Sequence, residues 1–378
     1  MNTLAIIVNY RAAELTIKAA RSVLESDSLG PVQVVVVDNS EDAGEVEQLH
    51  SALPSTVELR VSPENVGFGR ACNLAFHEYP REYILLLNPD AQLLPGSLLQ
   101  LQQTLRRDAR VGAVAPRVFW DETREFLLPP SYPPGLMLLE EVVGISSRSR
   151  ASIMSAASAL WRRYAIRFWR SRSCVRVGNL SGGVVLLNAR AVERAGGLFD
   201  PAFFLYFEDM DLFLRLRKAG YTLLMDPRGE AFHLYDQCDR DGWERKRSHI
   251  AISKRIFMEK HYKGWRLRVG DFSCRPRGHR TYDGKLSAAP DFDSPFALEV
   301  PESLQSGWLF EWSPNATLLP AAGRFGRGRF VRFSAECWAM LAPGRYFGRV
   351  GRPEGFGLRA RGFSWKVERG DPRETACS

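Results

Sequence analysis

The apolar positions of the first ninety residues follow two rhythms. Residues 4–8 (LAIIV), 32–37 (VQVVVV) and 83–87 (YILLL) are nearly unbroken apolar runs, the pattern of strands buried on both faces. Between the first two, Leu15, Ala19 and Val23 recur at helical spacing over residues 12–27, before Gly30-Pro31. A second helix is predicted from about Phe68 towards the third run. Strand, helix, strand, helix, strand at this spacing predicts βαβ units and a parallel sheet in an α/β domain.

The rhythm breaks over residues 127–178. They open with the proline-rich turn LLPPSYPPG, and from residue 142 to 178 there are eight arginines and no acidic residue. Ile153, Ala157, Leu160, Tyr164 and Phe168 share one predicted helical face, while Arg163, Arg167 and Arg170 share another. This reads as a basic amphipathic insertion. Compact α/β composition returns over 179–235, and 250–262 read as a helix, so the first domain is expected to span 1–265. Residues 266–285 read as a linker. From residue 286 short runs such as PFALEV, GWLFEW and GRYFGRV alternate with Gly, Pro and Ser turns, which predicts a small β-sandwich-like domain over 286–378.

Composition changes little in this picture. With 378 residues, 45% of them hydrophobic and 25% charged, the chain has enough apolar side chains for a sizeable core. A formal net charge of +8 favours anionic partners: phosphorylated metabolites, an anionic membrane surface or nucleic acid. Nucleic acid is set aside, because no helix-turn-helix, RRM or finger pattern is present. The six cysteines lack CxxC pairs, which argues against structural zinc and a disulfide framework and fits a reducing cytoplasm. The N-terminal apolar run has no basic flank and reads as a strand rather than a signal peptide. No stretch has the length of a membrane span, so the protein is expected to be soluble or peripheral.

Four places carry chemistry. Asp38 ends the second strand, at the edge where open α/β sheets bind ligands, and reads either as a nucleotide contact or as the start of a turn. Asn65-Val66-Gly67-Phe68-Gly69 places two glycines at a helix start, where backbone amides suit diphosphate oxygens; such glycines also serve ordinary turns. Asn88-Pro89-Asp90 ends the third strand, and Asp90 is either a hard oxygen ligand for Mg²⁺ or Mn²⁺ or part of a β-turn. Phe207-Glu208-Asp209-Met210-Asp211 supplies carboxylates, of which Asp211 is spaced to pair with Arg215. Asp209 is the candidate general base, and Glu208 a residue behind it. His233 reads as a packed histidine or a metal ligand. Gly182 and Gly183 precede an apolar run and allow close approach to the backbone. Trp120 and Tyr206 offer flat faces to a sugar, or belong to the core.

In this order the sequence resembles family-two glycosyltransferases of the GT-A fold, and within them the rhamnosyltransferase-like bacterial branch. The resemblance covers about residues 1–262. It rests on IIVNYR (6–11), VVDNS (36–40), NVGFGRACN (65–73), LLLNPDA (85–91), SGGVVLLNARAVERAGGLFD (181–200) and FFLYFEDMDLFLRLRKAGY (203–221). It implies a Rossmann-like mixed sheet with flanking helices, followed here by a smaller all-β domain. It implies an inverting transfer from a nucleotide-sugar, dTDP-L-rhamnose ahead of UDP- or GDP-sugars, to a lipid-linked surface glycan such as O-antigen or capsule. Asp38 would meet the base; Asn65, Gly67, Gly69, Asn73 and Asn88 would line the donor, and Gly182, Gly183 and Glu208 the sugars. Asp90 and His233 would hold Mg²⁺ or Mn²⁺, and Asp209 would be the base. Asn88 stands where the family's metal motif has its first acid, which leaves Asp90 as the only carboxylate of that motif. The 148–176 arginines read as a peripheral membrane contact, a phosphate site or a solvated face. The rival reading is a non-catalytic nucleotide- or glycan-binding protein.

Overall fold

The computed structural model describes residues 2–135, 150–235, 237, 243–262, 292–354 and 361–367. The expected linker at 266–285 and residues 136–149 of the expected insertion lie outside them. The chain divides into two compact units: 1–124, 130–145 and 171–276 form the first, and 125–129, 146–170 and 277–378 the second.

In the first unit, β1 (Thr3–Asn9), β2 (Val32–Asp38), β3 (Val57–Val61) and β4 (Tyr83–Leu87) alternate with α1 (Ala13–Leu24), α2 (Ala43–Ala52) and α3 (Phe68–Glu78). The apolar runs form strands because both faces are covered: Val34 to Val37 and Leu4, Ala5 and Ile7 have no exposed surface. After β5 (Ala91–Leu93) and α4 (Ser97–Arg107) comes β6 (Val111–Phe119). Ile17, Ala20 and Val23 of α1 join Leu98, Leu101 and Leu105 of α4 in the same core. The chain leaves this unit for α5 (Arg150–Trp169) and returns with β7 (Val175–Arg176), β8 (Val184–Asn188), α6 (Ala189–Arg194), α7 (Glu208–Lys218), β9 (Thr222–His233) and α8 (Trp243–His261).

Among the described residues the sheet has nine strands in the order β3-β2-β1-β4-β8-β6-β9-β5, with β7 against β9. β1, β2, β3 and β4 run parallel, and β8 lies antiparallel between β4 and β6. This is the expected mixed sheet of GT-A type. The carboxyl ends of β1 and β2 set Asn9 beside Asp38. β5 pairs antiparallel with β9, placing Ala91 opposite His233. Sheet pairing alone therefore brings Asp90 and His233 together across 142 intervening residues.

In the second unit, β10 (Phe296–Glu299) pairs with β13 (Phe330–Phe333), and β12 (Ala322–Gly326), β11 (Trp308–Ser313), β14 (Gly344–Gly351) and β15 (Arg361–Val367) form a second antiparallel sheet. Phe126, Phe310, Trp312 and Phe333 pack ring to ring between them. The small antiparallel region is as expected, but the unit is not all-β. It includes the short helix α9 (Ala335–Met340) and α5, which sequence order places in the preceding domain.

Two features draw α5 there. Arg162 is buried and donates to Glu311 at 2.6 Å, and Glu311 also accepts from Arg349 at 2.8 Å. Trp169 packs where Gly323 has no side chain; a Cβ there would lie 2.5 Å from the ring. The buried stripe of α5 is Ala157, Trp161, Ala165 and Trp169, whereas Leu160 of the expected face is 63% exposed. Both stripes have helical spacing, so the sequence pattern does not discriminate between them; the partners on β11 and β12 do. Ile153 lies where side chains are not described.

Candidate active site

Asp38 is buried at the end of β2. Its carboxylate accepts from Asn9 Nδ2 at 2.7 Å and from Ser40 Oγ at 2.9 Å. The next residue carries the geometry onward. Asn39 donates to Asn65 Oδ1 at 2.8 Å and accepts from the Val66 amide at 3.0 Å, and Asn65 Oδ1 also accepts from the Gly67 amide. The loop before α3 is thus tied to the end of β2.

Gly67 is needed for reasons internal to the protein. Its φ is +84°, and a Cβ would lie 2.3 Å from the carbonyl oxygen of Phe204, which accepts from the Phe68 amide. At Gly69 the constraint is milder: a Cβ there would lie 3.3 Å from Cβ of Phe199 and in ordinary contact, at 3.7 Å, with Cβ of Glu208. Asn73, expected to face the donor, uses its amide as a latch. It donates to the Phe199 carbonyl at 2.8 Å and accepts from the Phe199 amide at 3.0 Å. Together these contacts dock the 199–207 loop on α3.

That loop ends in strain. Tyr206 and Phe207 both lie in the left-handed region, at φ +69° and +68°, directly before α7. Consecutive non-glycine residues in this conformation are costly and concentrate at functional sites. They position Glu208 and Asp209 on the first turn of α7. Asp209 Oδ2 accepts from the Gly182 amide at 3.0 Å, and Oδ1 from the Met210 amide at 2.6 Å. Burial raises the Asp209 carboxyl above its ordinary range, although both hydrogen bonds oppose this. Burial, with the neighbouring Asp209 charge adding, pushes Glu208 up to about 8. Glu208 is 6% exposed, and among the described residues its Oε2 has no hydrogen-bond partner.

Asp211 belongs to the framework. Burial would raise its carboxyl, but His261, Lys260 and Arg215 together hold it at about 2. Arg215 Nε lies 2.7 Å from it in the expected i, i+4 pair, and His261 Nε2 is also at 2.7 Å. Arg215 also donates to the carbonyls of Ala195, Gly197 and Leu198. Trp120 is buried in the core.

On the other side, His233 Nε2 lies 3.0 Å from Asp90 Oδ1 and 3.3 Å from Asn88 Nδ2. Asp90 Oδ2 accepts from the Gln237 amide at 3.3 Å. Burial acts to raise the Asp90 carboxyl, but His233 and Gln237 outweigh it and hold it below the usual range. Gly183 fits beneath: a Cβ there would lie 2.7 Å from His233 Cε1 and 3.3 Å from Asn88 Nδ2, and one on Gly182 would lie 3.1 Å from Cβ of Asp209. Successive glycines therefore face the two halves of the site.

Among the described residues no three His, Cys, Asp or Glu side chains form a metal cluster. The donor set still fits a hard divalent ion completed by substrate. Magnesium is commonly held by one or two carboxylates plus substrate phosphates, and Asp90 with His233, paired at 3.0 Å here, would supply the protein's share of such a site.

Most sequence candidates thus join one run of contacts, from Asp38 through Asn39, Asn65 and Gly67 to the 199–207 loop, then from Asp209 through Gly182 and Gly183 to His233, Asn88 and Asp90. Asn9 and Gln237 also belong to it. Asn9 was signalled by its position at a strand end in the IIVNYR block; nothing in the sequence marks Gln237, which acts through its backbone.

Residues 4–166 match the model of glycosyl transferase family 2. The chain is 28% identical over 254 residues to the N-acetylglucosaminyl-diphospho-decaprenol L-rhamnosyltransferase of Mycobacterium tuberculosis, in strains CDC 1551 / Oshkosh and H37Rv. That alignment covers 62% of this chain and 77% of the relatives. Among solved structures, GalNAc-T7 with UDP, GalNAc and Mn²⁺ is 13% identical with a TM-score of 0.43, over 62% of this chain and 44% of that one. The chain thus spans less than half the length of GalNAc-T7. The mannosyltransferase PcManGT from Pyrobaculum calidifontis, with GDP-Man and Mn²⁺, is 17% identical with a TM-score of 0.42, over 72% and 73% of the two chains. Residues 4–166 thus resemble a family 2 glycosyltransferase domain, and they supply β1 to β6 of the mixed α/β sheet expected of the GT-A fold. Over the 254 aligned residues the sequence is similar to that of the mycobacterial L-rhamnosyltransferases.

Proposed function

We propose that the protein transfers L-rhamnose from dTDP-L-rhamnose to a lipid-diphosphate-linked glycan, inverting the anomeric configuration. The observation that carries the mechanism is the placement of Asp209 against Gly182 and of His233, paired with Asp90, against Gly183. The name of the mycobacterial relatives supports the sugar and the acceptor class.

Asp209 is the general base. Its raised proton affinity suits taking the proton of an acceptor hydroxyl as that oxygen bonds the anomeric carbon. The bond from that carbon to the diphosphate oxygen breaks in the same step, and the nucleoside diphosphate leaves with the electron pair. The Gly182 and Met210 amides fix the carboxylate for this attack. Asp90 and His233 would hold Mg²⁺ or Mn²⁺, which when bound stabilises charge on the departing diphosphate. Asp38, Asn65 and the Gly67 turn frame the nucleotide side.

The same proposal has the reaction run at the cytoplasmic face of a membrane, a reading supported by Arg163, Arg167 and Arg170, which are exposed on and just after α5. The test is product formation from a panel of nucleotide-sugars on a prenyl-diphospho-GlcNAc acceptor, with Mg²⁺, Mn²⁺ or chelator. Rhamnosyl product only with dTDP-L-rhamnose and metal is expected. Binding of nucleotide without turnover on any donor would favour the non-catalytic reading.

A further inference from the structure

The second unit contains a cavity of about 560 Å³ that the glycosyl-transfer reading does not use. Four stretches of chain meet at it: the end of α5, the turn before β11, the end of β12 and the residues after β14. Three arginines line it, Arg170, Arg327 and Arg352, with one acidic residue, Glu354. Glu354 is 3.5 Å from Arg170, and both are well exposed. Arg327 and Arg352 make no side-chain ion pair among the described residues; Arg352 contributes only its backbone carbonyl, to Arg162.

The cavity walls are built around this charge. The Trp308 ring occupies the space a side chain would take at Gly326, with a Cβ position only 2.1 Å away. Its indole nitrogen donates to the Gly328 carbonyl at 3.1 Å, fixing the turn that bears Arg327. Arg170 lies over the Phe325 ring at 4.8 Å, which orients its guanidinium before any ligand arrives. Ser303 and Ser306 add hydroxyls at the rim.

We propose that this cavity is a binding site for a phosphoryl anion, a phosphate or diphosphate ester, distinct from the glycosyl-transfer site. Arginine forks match phosphate oxygens bidentately, and a concave group of three arginines facing a single carboxylate keeps an excess of positive potential. The volume suits a phosphate group with an attached sugar or headgroup. The ester comes either from a phosphorylated glycan or metabolite or from a lipid headgroup.

The full chain is titrated calorimetrically with inorganic pyrophosphate in chelator, as wild type, Arg327→Ala/Arg352→Ala, and the charge-matched control Arg106→Ala/Arg107→Ala. Because pyrophosphate can also enter the first unit, Asp90→Ala is titrated too and should retain the arginine-dependent event. The cavity variant should bind at least about ten-fold more weakly, and the control within about two-fold of wild type. Equal weakening in both, or no binding to wild type, overturns the proposal. Circular dichroism checks the fold, and Arg327→Gln alone replaces the double variant if that one unfolds. Vesicles of phosphatidylcholine with and without phosphatidylglycerol separate the sources. Arginine-dependent vesicle binding displaced by pyrophosphate assigns a lipid headgroup; pyrophosphate binding without vesicle binding assigns a soluble or glycan-borne ester.

Discussion

Asp209 and Gly182 are joined by a 3.0 Å hydrogen bond from the glycine amide to the carboxylate, at a point where any side chain on the glycine would touch Cβ of Asp209. The bond holds a carboxylate of raised proton affinity at the start of α7. Its neighbour Gly183 supports His233, so the proposed base and the proposed metal side are registered by a single dipeptide.

Replacing Asp209 with Asn keeps the shape and removes the proton acceptor. Transfer should fall by about 10²- to 10⁴-fold, with nucleotide affinity nearly unchanged. Initial rates and nucleotide titration check this; wild-type turnover would remove Asp209 from the mechanism.

Gly183→Ala puts a methyl group 2.7 Å from His233 Cε1, so the imidazole must move off Asp90. Small misplacements in a site of this kind cost up to about 10²-fold in rate. Turnover and its metal dependence should both drop while the melting temperature stays near that of wild type. A variant with unaltered metal response would show that His233 has no part in holding the ion.

Glu208 gives a pH signature. Its carboxyl is raised to about 8 in the fold against about 4.5 in the unfolded chain, so its contribution to stability is fully present below about 4.5 and is lost as pH rises towards 8. Glu208→Gln mimics the protonated form. Across that window the melting temperature of wild type should decline relative to the variant, and parallel curves by thermal denaturation would refute the shift.

In the second unit, Glu311 faces two arginines, with side-chain exposures of 2% for Glu311, 0% for Arg162 and 14% for Arg349. Glu311→Ala leaves two guanidiniums without their carboxylate and should cost about 3–5 kcal/mol. Arg162→Met should cost less, because Arg349 still neutralises Glu311. Urea denaturation of each variant gives the order; the reverse order would mean that Arg162 is held mainly by packing.

What the sequence determined by itself is local and periodic. The apolar runs predict β1, β2 and β4 to within one residue at each end, because a strand buried on both faces leaves no freedom in side-chain polarity. The strand-end acids Asp38 and Asp90 and the acidic start of α7 are legible for the same reason: polar residues interrupt apolar runs where the sheet meets its cleft. The tertiary structure decided everything that depends on partners distant in the chain. The antiparallel pairing of β5 with β9 brings His233 to Asp90, Phe199 claims the amide of Asn73, and Phe204 rather than a ligand explains Gly67. The helix α5 carries two apolar stripes of equal period, and Glu311 and Gly323, more than 140 residues further on, select which one is buried. Periodicity specifies that a face must be covered; only the folded chain supplies the residues that cover it.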